Sequence, residues 1–65
     1  MLDLEYFETA ARDFGAEDKA RGLPMMARHS FLVAMLEACP TEKDEALVKT
    51  HPLHLYDLYR GGYNR

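Results

Sequence analysis

A single cysteine, Cys39, excludes an intramolecular disulfide and any zinc site built on cysteine pairs. No run of residues approaches the roughly 18 apolar positions that a membrane span needs. The opening stretch MLDLEYFE has no basic residue and carries Asp3, Glu5 and Glu8. No secretory leader is expected from it, and the expected location is cytoplasmic. There is no excess of positive charge: the formal net charge is −3, which disfavours indiscriminate nucleic-acid binding. Strand-like alternation, internal repeats and low-complexity stretches are also missing.

What remains is a chain of 65 residues with 48% hydrophobic content, enough for one folded domain spanning 1–65. A chain this short buries only about 60% of the surface its unfolded form exposes. With no disulfide to help, association with a second copy is the expected remedy. Charge is uneven along the chain. Residues 1–22 hold six acids against three bases, whereas residues 46–65 hold Asp57 against Lys49, Arg60 and Arg65.

The periodicity predicts an all-α fold of three or four short helices, a helical hairpin or bundle. Asp3 suits an N-cap, and Leu4, Phe7, Ala11 and Phe14 then draw one apolar stripe at spacings of three and four. Gly15 offers a possible stop. Beyond it the stripe falls on Asp18 and Arg21, so the buried face is expected to end near Phe14, with Gly22 terminating the segment. Pro24 suits the first turn of a second helix. In MMARHSFLVAMLEAC the polar His29, Ser30 and Glu37 share one narrow face, so this helix is expected to be central and covered on most sides. Thr41-Glu42-Lys43-Asp44 reads as a capping box opening a short helix through Leu47 and Val48. Pro52 opens the last helix and drives His51 from the helical region. Leu55, Leu58 and Tyr59 form its inner face, and Gly61-Gly62 are expected to end it.

Several constellations carry potential chemistry. His51, His54 and Asp57 have a metal-like spacing, but Pro52 breaks the projection and no fourth ligand is evident. Solvent-facing or capping histidines are the plainer reading. Cys39 beside a histidine would suit a nucleophile, yet its place on an apolar helix suits a small hydrophobe. Arg28 shares a strip with Leu32, Met35 and Cys39. Either its aliphatic stem lies along the core edge, or it anchors a protein interface. Tyr56, Tyr59 and Tyr63 flank Arg60 and Arg65, a mixture that fits protein hot spots and base-stacking surfaces alike. Tyr59 is expected to face inward, leaving Tyr56 and Tyr63 for a partner.

The glycines Gly15 and Gly22 in AARDFGAEDKARG, and the closing LYRGGYNR, resemble the ribosome modulation factor family. Its first helix is glycine-spaced, and its ending sets an aromatic residue, two glycines and a second aromatic in a helix. Tyr59, Gly61, Gly62 and Tyr63 occupy the matching positions. The resemblance covers about a quarter of the chain and implies a ribosome-associated dormancy factor that contacts ribosomal RNA. That family is basic and largely two-helical, whereas this chain is acidic and inserts an apolar helix between the matching ends.

The composition and spacing together favour a small non-enzymatic regulatory protein, an inhibitor or adaptor of a larger protein, acting as a homodimer. Small inhibitors encoded by phages and mobile elements share this profile. No cofactor, metal or small-molecule substrate is expected. The partner-binding residues expected are Arg28, Leu32 and Met35 on the second helix, with Tyr56, Arg60 and Tyr63 in the tail. The alternative is RNA or ribosome binding through the tail, which a basic patch joining Arg12 and Arg21 to it would strengthen.

Overall fold

A computed structural model describes residues 3–65; Met1 and Leu2, part of the stretch read for a leader, lie outside them. The chain forms α1 (Leu4–Ala20), α2 (Arg28–Glu37), α3 (Glu42–Thr50) and α4 (Pro52–Tyr63), with no strand among the described residues. The all-α bundle expected from the periodicity is therefore present. None of these helices is long and apolar enough to cross a membrane.

Local chemistry sets most boundaries. The Asp3 carboxylate accepts the Tyr6 N–H at 2.9 Å and so caps α1. At the other end Gly22 adopts φ 72°, and Leu23 N–H and Gly22 N–H donate to Asp18 and Lys19 carbonyls at 3.0 and 3.1 Å. This paired 6→1 and 5→2 closure is a Schellman motif, which needs a left-handed residue that glycine supplies without strain. Thr41 opens α3 by accepting the Asp44 N–H at 3.2 Å, while its hydroxyl donates to the Asp44 carboxylate at 2.7 Å. His51, at φ −126° and ψ 43°, leaves the helical region before Pro52, as the proline requires.

Helices α1 and α4 make the dominant contact of the molecule. Glu8 faces His54, Gly15 lies against Tyr59, and Lys19 reaches Tyr63. Sequence position rises together along both helices, so they run parallel. Their crossing corrects two expectations. Gly15 does not stop α1: it is a buried point of close approach, where a Cβ would overlap the Tyr59 carbonyl and stand 2.8 Å from the Tyr63 nitrogen. Gly61-Gly62 do not end α4 either. A Cβ on Gly62 would overlap the Arg12 carbonyl and stand 3.2 Å from the Ala16 nitrogen, while Gly61 faces open space. Two helical backbones thus meet through reciprocal glycines.

The buried face of α1 also outruns Phe14. Its buried positions are Phe7, Ala11, Gly15 and Asp18, spaced four, four and three, so the stripe continues onto an acid. Phe31 and Met35 from α2, Val48 from α3, and Leu55 and Tyr59 from α4 complete the core.

Helix α2 is not the covered centre that its apolar content suggests. It begins at Arg28, four residues after Pro24, and buries Phe31 and Met35, with Leu32 and Leu36 partly buried against the core. Val33 is 41% exposed. Residues 23–27 form an extended strap instead of a first turn, because α4 uses their backbone groups.

A tyrosine rack and a candidate binding face

Tyr56, Tyr59 and Tyr63 follow spacings of three and four, which places them along one side of α4. That side meets the strap. Tyr56 donates its hydroxyl to the Met26 carbonyl at 2.7 Å, and Tyr63 donates to the Leu23 carbonyl at 2.6 Å. The Met26 N–H donates to the Tyr59 hydroxyl at 3.0 Å, and that hydroxyl donates to the Asp18 carboxylate at 2.7 Å. Tyr59 is fully buried and Asp18 nearly so. Their bond explains how an acid sits on the inner face of α1: a buried carboxylate is tolerated where a donor reaches it. Among the described residues no buried side-chain nitrogen or oxygen lacks a partner.

The electrostatics follow from this placement. Burial pushes the Tyr59 phenol up to about 12; the Asp18 bond and charge add to the shift, and the bond from Met26 opposes it. The Cys39 thiol donates to the Met35 carbonyl at 3.2 Å. Burial raises its pKa, with Asp44 and Glu45 adding to the effect, so it is held as the thiol and away from its nucleophilic form. His54 meets Glu8 at 2.5 Å across the α1–α4 seam. Among the described residues no group of three or more histidine, cysteine, aspartate or glutamate side chains is placed to hold a metal ion.

The residues expected to meet a partner fall into two sets. Tyr56 and Tyr63 are half-buried, with their hydroxyls engaged by the strap. Met35 is 5% exposed and belongs to the core. Arg28 and Arg60 are exposed, and Leu32 is half-buried. The strip carrying Arg28, Leu32 and Met35 therefore passes from solvent into the interior within two turns. Arg60 sets its guanidinium carbon 6.0 Å from the Tyr56 ring, and the Lys19 ammonium lies 5.2 Å from the Tyr63 ring. Val33 carries no sequence signal of its own, since it belongs to no motif and lies off the strip of Arg28, Leu32 and Met35. Asp18 reads in the sequence as the end of the apolar stripe because its partner Tyr59 lies 41 residues away.

No family model matches the chain, and no curated protein or solved structure matches it.

Proposed function

We propose that this protein is a small non-enzymatic regulator that binds a larger protein through the outer face of α2 and also self-associates as a homodimer. The observation that carries the reading is Val33, 41% exposed on the solvent side of α2, one position along from half-buried Leu32. Exposed His29 and Glu37 lie one turn to either side of it, so a partner seated here would bury an apolar centre within a polar rim. The held-down thiol and the engaged tyrosine hydroxyls favour a binding role over nucleophilic chemistry. A stable interface buries about 800 Å² per partner. That is nearly a fifth of the 4352 Å² surface, so the contact extends past α2 onto neighbouring elements. Sedimentation of Val33→Asp tests the self-association. The substitution lies on an exposed position, so the helical spectrum should persist while the dimer is lost. A folded Val33→Asp chain that sediments like the parent would contradict this use of α2.

A second reading, binding to RNA on the ribosome, has its own support. The glycine-bearing α1 lies against the Tyr59-Gly61-Gly62-Tyr63 stretch, which sits within a helix as the resemblance implies. Lys19 joins Tyr63 from α1 near exposed Arg60 and Arg65. This reading predicts binding that falls steeply with salt, because phosphate contacts release counterions. Binding to ribosomal RNA that is indifferent to salt, or unchanged in Arg60→Ala with Arg65→Ala, would rule it out.

A further inference from the structure

Helix α2 has the fewest supports at its ends of the four helices. Helix α2 is 10 residues long, with no side-chain cap at Ala27, no acid in its first turn and no base in its last. Helices below roughly 12–15 residues are marginal without tertiary support. That support comes from buried Phe31 and Met35, with Leu32 and Leu36 partly buried against the core. The Phe31 ring lies 4.9 Å from Tyr59, 5.6 Å from Tyr56 and 6.0 Å from Phe14, centre to centre. A positive-φ glycine, Gly22, precedes the segment, and the non-helical Cys39-Pro40 follows it. Between these two pivots the strap's described side-chain bonds all run to Tyr56, Tyr59 and Tyr63. The glycine-matched α1–α4 pair does not depend on them.

We infer that residues 22–39 form a lid, latched by the three tyrosine hydroxyls, which opens as a unit while α1 and α4 stay packed. Opening lifts Phe31 off Phe14, Tyr56 and Tyr59 and uncovers an aromatic face on the α1–α4 pair. Native proteins open in contiguous cooperative units of this kind, at free energies below that of global unfolding. The inference goes beyond the binding reading and does not rest on it.

Native-state hydrogen exchange across a denaturant series tests it. In the parent protein the α2 amides should exchange faster than buried α1 and α4 amides, with a shallower denaturant slope. Ala10→Gly weakens α1 equally in the closed and lid-open forms. It should speed α1 and α4 amides by roughly fivefold, the scale of the helix-propensity loss, and leave α2 amides unchanged. Tyr56→Phe with Tyr63→Phe weakens only the closed form and should speed both sets alike, by roughly 10- to 100-fold. Two results would overturn the lid: α2 amides sharing the rate and slope of α1 and α4 in the parent protein, or Ala10→Gly speeding α2 as much as α1. The slope comparison needs no variant, so a poorly folding substitution leaves the test intact.

Discussion

At the scale of single residues, adjacent glycines have opposite tasks. Gly62 lets the α4 backbone lie on the Arg12 carbonyl, whereas Gly61 faces open space without a positive φ. Gly62→Ala must separate two helices and should cost about 2 kcal/mol or more. Gly61→Ala removes backbone entropy from the unfolded chain and should add up to about 1 kcal/mol. Thermal melting by circular dichroism should therefore move in opposite directions for the two substitutions. Tyr59 gives a second residue-scale prediction. Its phenol ordinarily titrates near 10.0 and is held to about 12 in the fold. Because the folded value is raised, the neutral phenol contributes stability that is complete below pH 10 and declines as pH rises towards 12. The urea midpoint should fall across that window, and Tyr59→Phe should flatten the fall.

Among the elements, α3 is the one whose start rests most on a single side chain. Thr41→Ala removes both the acceptor for Asp44 N–H and the donor to its buried carboxylate, and should cost about 1–2 kcal/mol. Thr41→Ser keeps both bonds and should melt close to the parent. Signals of this sort were legible in the sequence because they act over three or four residues: Asp3 at α1, Thr41 at α3, Pro52 at α4, and Gly22 after α1. The roles of Gly15 and Gly62 were not legible. A glycine inside a helix and a glycine ending one look alike until the opposing backbone is known. Asp18 and the late start of α2 share this cause, since both depend on tyrosines from the far end of the chain. The candidate face was half legible: Arg28 and Leu32 were readable from their strip, whereas Met35 and the tyrosine hydroxyls were absorbed by the interior and the strap.

On the scale of the whole molecule, the surface area limits what a second copy must do. A compact monomer of 7.5 kDa is expected to expose about 4200 Å², and this chain exposes 4352 Å². The fold is already as closed as an ordinary monomer, so the proposed self-association would join folded chains. Dilution through dissociation of the proposed dimer should leave the helical circular dichroism unchanged while the sedimenting mass halves. The measurement that tests the account most directly is capture from lysate, split into RNase-treated and untreated halves, with parent protein beside Val33→Asp. The account predicts a protein partner retained by the parent in both halves and lost with Val33→Asp. Retention of ribosomal components that disappear with RNase and are indifferent to Val33→Asp would contradict it, and would move the binding face to the tyrosine–arginine end of α4.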